Sequence, residues 1–169
     1  MNPDVGRTCS MGPSALVAEI FAAFASEVET TPSVTLRGGN QLDDYEQPSP
    51  FDPSIDSITD AYLETSPGGL GYLDVASWKH YLPHLVEYAI RHKGDGDLVT
   101  DSLLNSLRPP DHVPPRLASL SAEQEALLTR FLELLAFDDQ SPHQEFACQV
   151  LDEWWLPNAR YRTGLESDN

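Results

Sequence analysis

Positive charge is what this chain has least of. Ten Lys and Arg stand against 27 Asp and Glu, giving a formal charge of −17 and a pI near 4.3. From Gly38 to Trp78 there is no Lys or Arg at all. A surface of that sign repels nucleic-acid phosphates and anionic membranes and attracts basic proteins. No nucleic acid and no membrane is therefore expected as a partner. A small domain stays soluble with a net charge of magnitude about 2–8, so the excess asks for a cause.

Cysteine is scarce too. Cys9 and Cys148 are far apart and neither belongs to a C-x-x-C pair. They read as free thiols in a reducing compartment, and Cys148 as a small apolar helix residue. Long hydrophobic runs are missing, and nothing approaches the ~18 apolar residues of a membrane span. The nearest is "ALVAEIFAAFAS" (15–26), which Glu19 interrupts, while Asp4 offsets Arg7 ahead of it. It reads as an amphipathic helix rather than a secretory leader, and the expected location is cytoplasmic.

Catalytic motifs are equally sparse. There is no G-x-S-x-G elbow, and neither cysteine has an activating context. "GGLG" (68–71) lacks the Lys and Ser/Thr of a phosphate loop. Carboxylate pairs of the kind a glycosidase uses are so abundant that no single pair is informative. The reading is non-enzymatic, with no cofactor.

What the chain does have is helical periodicity, in a length suited to one domain. The expected organisation is a flexible N-terminus (1–13), one helical domain (14–157) and a C-terminal tail (158–169). Leu16, Ile20, Phe24 and Val28 repeat every fourth position, predicting a helix from Ser14 to Glu29. Val34 and Leu36 alternate with polar neighbours, allowing one short β segment near 33–37. Asp52 and Pro53 read as the cap and first position of a helix carrying Ile55, Ile58 and Tyr62 inward.

Asp74 reads as the cap of the next helix, within which Pro83 should force a kink or a break. A shorter helix is expected from Leu98 to Leu107, then the rigid "RPPDHVPPR" connector. Ser121 and Gln124 form a capping-box pattern ahead of a leucine stripe. Ser141, Pro142 and Gln144 repeat the device, and Pro157 ends it. The fold class is all-α: a single-domain bundle of five to six helices.

Three constellations are candidates for function. His80, His84 and Glu87 fall at i, i+4 and i+7, so they share a helix face that could bind a metal in a small hydrolase or metalloenzyme. Against this, Tyr81 stands where a zincin has its glutamate, and Pro83 separates the histidines; a polar helix rim is the plainer reading. Asp56, Asp60 and Glu64 form an i, i+4, i+8 row. Such a row costs an isolated helix about 0.2–0.5 kcal/mol per like-charged pair, which fits either a solvated face or a surface that meets cations. With Asp52 they are the leading partner contacts. Trp154 and Trp155 follow Asp152 and Glu153. Adjacent positions point about 100° apart, so one indole should lie nearer the surface, and Trp155 among acids would suit a partner's Arg or Lys.

"GGNQLDDYE", then "LGYLDVASWKHYLP" and a capped leucine-rich helix, resembles an uncharacterised family of small bacterial proteins. That family is a domain of unknown function with a pattern of the form F-L-D-P-x-G-F-x-Y-Y-L-P. The resemblance covers roughly residues 37 to 137. Val75 replaces the proline, Trp78 stands at a phenylalanine and His80 at the first tyrosine. An aromatic at the site of His80 implies packing rather than metal chemistry, with Leu73, Trp78, Tyr81 and Leu82 in the core. The resemblance implies a bacterial domain and supplies no activity.

The expectation is thus an acidic bacterial protein that binds a basic protein. Within that class it is an immunity protein neutralising a cognate toxin or secreted effector through Asp52, Asp56, Asp60, Glu64, Asp152, Glu153 and Trp155. An effector adaptor or chaperone would share the acidity without inhibiting.

Overall fold

The structure, a computed structural model, describes residues 12–109 and 115–162. Within these the chain is all-α, with no strand. Helix α1 (Pro13–Ala23) and α2 (Ala25–Glu29) divide the expected first helix at Phe24, whose φ of −111° and ψ of 18° leave the helical region. The face survives the break: Leu16, Ile20 and Phe24 are all buried.

The expected β segment near 33–37 is a helix start. The Thr35 hydroxyl accepts the Gly38 N–H at 2.9 Å and caps α3 (Leu36–Asp43). A side-chain cap satisfies a backbone donor that would otherwise lack a partner, and two alternating residues have no sheet to join.

Nor do Asp52 and Pro53 open a helix. The Asp52 carboxylate accepts the Ser54 N–H and hydroxyl in a local turn. The helix α4 (Asp60–Thr65) starts later, capped by Thr59. A 3₁₀ turn (Pro67–Tyr72) follows.

Two glycines explain how that turn seats. A Cβ on Gly39 of α3 would meet the Gly69 carbonyl oxygen well inside 3.0 Å, and a Cβ on Gly69 would meet the Leu36 carbonyl as closely. The backbones of α3 and the 3₁₀ turn touch directly, and only glycine permits that approach. The "GGN" and "GGLG" stretches are therefore two halves of one crossing.

Helix α5 (Val75–Arg91) is the hub, packed by α1, α2, α6 (Leu98–Ser106) and α7 (Pro115–Ala118). Asp74 caps it as expected, accepting the Ser77 N–H at 2.8 Å. Pro83 does not divide it. The ring removes one donor, but Leu82, Pro83, Leu85 and Val86 are all buried, and that packing outweighs a single lost bond.

The capping box at Ser121 and Gln124 is present at the start of α8 (Ala122–Ala136). Gln124 also reaches back to the Ala23 carbonyl at 3.0 Å, tying α8 to α1. Beyond α9 (Gln144–Val150) the chain winds into a π-helical turn, Leu151–Trp155. One core cluster runs from Leu16 to Trp155. The expected terminus 1–13, the connector and the tail lie largely outside the described residues.

Candidate functional site

The helix face of His80, His84 and Glu87 is engaged within the fold. His80 Nδ1 lies 3.0 Å from the Glu27 carbonyl oxygen. His84 meets Phe21 edge-on at 5.0 Å between ring centroids. Burial, and then the neighbouring His80, hold the His84 imidazole below its ordinary pKa, which favours the neutral ring. Glu87 pairs with Arg91 at 3.3 Å. Among the described residues no group of three or more His, Cys, Asp and Glu is placed to hold a metal ion. This face is the packed rim of α5.

The expected acidic row is dispersed, because Asp56 precedes α4 instead of sharing a helix with Asp60 and Glu64. Asp56 is 2% exposed. It accepts from Arg37 Nη2 at 2.8 Å and Nε at 3.1 Å, from the Tyr62 hydroxyl at 3.0 Å and from the Asp52 N–H at 2.9 Å. Burial pushes this carboxyl up, yet the Arg37, Asp52 and Tyr62 donors together bring it below its ordinary range. Asp56 is a structural anion and no partner contact.

Asp60 does stand at the surface, but it is clamped by Arg91 at 2.6 and 2.9 Å with His92 at 3.3 Å, and the Arg91 bonds hold its pKa at about 2. Glu64 is exposed and accepts the Tyr88 hydroxyl at 2.9 Å. Asp52 is half-buried and held by its own turn.

The C-terminal candidates need correction as well. Trp154 and Trp155 are both buried, at 3% and 4% exposure. The π turn, in which the Leu156 N–H reaches the Leu151 carbonyl, is wider than an α turn and carries both indoles to the core side. Trp155 Nε1 donates to the Leu107 carbonyl at 2.9 Å, so it anchors α6 rather than a partner. Glu153 is buried and accepts Arg108 through two bonds of 2.7 and 2.8 Å. Those bonds lower its pKa despite burial. Asp152 stays exposed and forms no ion pair among the described residues.

The same pairing extends over the whole fold. Arg37, Lys79, Arg91, Lys93, Arg108, Arg130 and Arg162 are each bound to a carboxylate of this chain. Few cations remain to relieve the outward field. Exposed Glu29, Asp44, Glu46, Glu123, Glu145 and Asp152 meet no cation among the described residues.

The most distinctive surface follows α3. Tyr45 is 99% exposed and holds a φ of 60°, a left-handed conformation that costs a non-glycine residue roughly 1 kcal/mol or more. Asp44 and Glu46 flank it. The half-exposed Tyr72, near Tyr45, donates its hydroxyl to Asp43.

The sequence offered no pointer to His143, which is 3% exposed. Its Nδ1 lies 3.0 Å from Asp101 Oδ1 and its Nε2 2.8 Å from the Asp95 carbonyl oxygen, with an Asp97 carboxylate oxygen at 3.5 Å. The ring pins the turn between α5 and α6 to the start of α9. Its partners lie more than forty residues away, where no local pattern reaches.

Residues 13–159 match a family described only as a family of unknown function, DUF6714, and the chain belongs to it. The match spans more of the chain than the resemblance over 37–137. No curated protein and no solved structure matches.

Proposed function

We propose that the protein binds a basic protein partner without catalysis. Within that class it acts as an immunity protein, covering the cationic active site of a cognate toxin or secreted effector. The observation that carries this reading is the internal use of the cations. Nearly every Lys and Arg of the described chain is tied to a carboxylate of its own, while exposed acids are left without partners. A field of one sign speeds encounter with an oppositely charged surface, and close charge pairs then hold the register.

The contact surface in this reading is the turn after α3: Asp44, Tyr45 and Glu46, beside Tyr72. A fully exposed tyrosine among acids suits an interface anchor that meets arginine or lysine. It replaces the Asp56, Glu153 and Trp155 contacts, which face inward.

The test is co-expression of this chain with each basic product of its neighbouring genes, scored by growth and by co-purification. Rescue of growth together with a complex supports inhibition. A complex without rescue points to escort by an adaptor or chaperone instead. Absence of both removes the reading. Asp44→Lys with Glu46→Lys should slow association about tenfold at low salt and flatten its salt dependence, as measured by stopped-flow.

A further inference from the structure

A cavity of about 480 Å³ opens between the 3₁₀ turn, the C-terminal half of α6 and α7. That is within the range of small-molecule sites, roughly 300–1,000 Å³. Its walls are apolar at Pro67, Leu70 and Leu117, and polar at Ser102, Asn105 and Arg116.

Arg116 is unusual in this chain. Among the described residues it forms no ion pair with a carboxylate, although acids outnumber cations almost everywhere. It is nevertheless held firmly. One nitrogen, Nη2, donates to the Gly71 carbonyl at 3.1 Å and to the Leu73 carbonyl at 2.5 Å, and the guanidinium lies 6.0 Å from the Trp78 ring centroid. Nε and Nη1 carry no bond to a described residue. Among the described residues no side-chain nitrogen or oxygen is buried without a partner, so these donors are not sealed in the core. The Ser102 hydroxyl and Asn105 amide, one helical turn apart on α6, likewise carry no bond to a described residue. The second arginine at this cavity, Arg108, is taken up by Glu153.

We infer that this cavity is a binding site for a small organic carboxylate. One open guanidinium edge with a neutral amide and hydroxyl matches a single negative charge. The apolar walls take the body of the molecule, and the surrounding negative field disfavours a dianion. Orientation of Arg116 by two carbonyls and an indole means that little side-chain entropy is lost when the carboxylate arrives. The site shares the 3₁₀ turn with Tyr72 of the proposed contact surface but is lined by other residues, and it stands or falls independently of the partner-binding reading.

The experiment is titration of the full chain with 3-phenylpropionate, followed by nitrogen–proton NMR that includes the arginine Nε–H signals. The neutral 3-phenylpropionamide and the dianion phenylphosphonate serve as comparisons. Saturable shifts at Gly71, Asn105 and Arg116 Nε are expected with the carboxylate, weakened about tenfold or more for the amide. Arg116→Gln should abolish them. Because Arg116 also holds two carbonyls, Ser102→Leu provides a second variant that fills the cavity and leaves those bonds alone; it should keep the melting temperature and lose the shifts. No saturable shift, equal binding of the amide, tighter binding of the phosphonate, or binding that survives Ser102→Leu would each overturn the assignment.

Discussion

Replacing Gly39 by alanine sets two effects against each other. Position 39 lies inside α3, where alanine is favoured over glycine by about 1 kcal/mol. On local grounds alone the change should stabilise. The tertiary structure places the new methyl well inside 3.0 Å of the Gly69 carbonyl oxygen, and 2.8 Å from the Gly69 carbonyl carbon. Carbon atoms pack at about 3.5–4.0 Å, so the crossing would have to open by roughly 1 Å. Both sides are backbone, and no side chain can rotate away. Overpacking of this kind costs about 3 kcal/mol, leaving a net loss near 2 kcal/mol after the helix gain. For a chain of this length that lowers Tm by roughly 4–8 °C. Urea unfolding followed by circular dichroism measures it, with Gly71→Ala as control, since a Cβ there meets nothing within 4 Å. If Gly39→Ala were as stable as the parent, the direct backbone contact between α3 and the 3₁₀ turn would be wrong.

Three further outcomes follow from named contacts. Asp56→Asn should cost about 3 kcal/mol near neutral pH, because it leaves Arg37 without its charged partner. The folded-state pKa of Asp56 lies below its ordinary 3.8, so its contribution is present above that value. It fades as pH falls through the folded pKa, and the gap between parent and variant in urea titrations should narrow below about pH 4. Trp78, Trp154 and Trp155 are all buried, at 0%, 3% and 4% exposure, so acrylamide should quench native fluorescence weakly and unfolded fluorescence strongly. Strong native quenching would contradict the inward course of the π turn. His143→Ala should destabilise by about 2 kcal/mol and speed amide exchange in the turn after α5, since Asp101 and the Asp95 carbonyl lose their common partner.

Much of the architecture was legible in the sequence because helix signals are local. The capping box at Ser121 and Gln124, the Asp74 cap and the Leu16, Ile20, Phe24 face all depend on residues within a turn or two of each other. The structure reproduces each of them. Membership of an uncharacterised family was visible in the same way, through short stretches around "GGNQLDDYE" and "SWKHYLP". The false β segment and the early start for α4 share one cause. Val34, Leu36, Asp52 and Pro53 carry weak preferences, and short-range bonds beside them, the Thr35 cap on Gly38, the Asp52–Ser54 turn and the Thr59 cap, decided the outcome.

Charge was legible only as a total. The sequence determined that this chain is acidic, helical and poor in catalytic motifs. Only the tertiary structure decided which acids are available. Asp56 and Glu153 turned inward because Arg37 and Arg108 met them there, and Asp60 was claimed by Arg91 across thirty-one residues. Trp155 was buried by a π turn that helix periodicity does not foresee. A buried carboxylate persists only where a cation and donors converge on it, and that convergence comes from chain segments distant in sequence. Composition therefore set the sign of the surface, and folding selected the residues that express it.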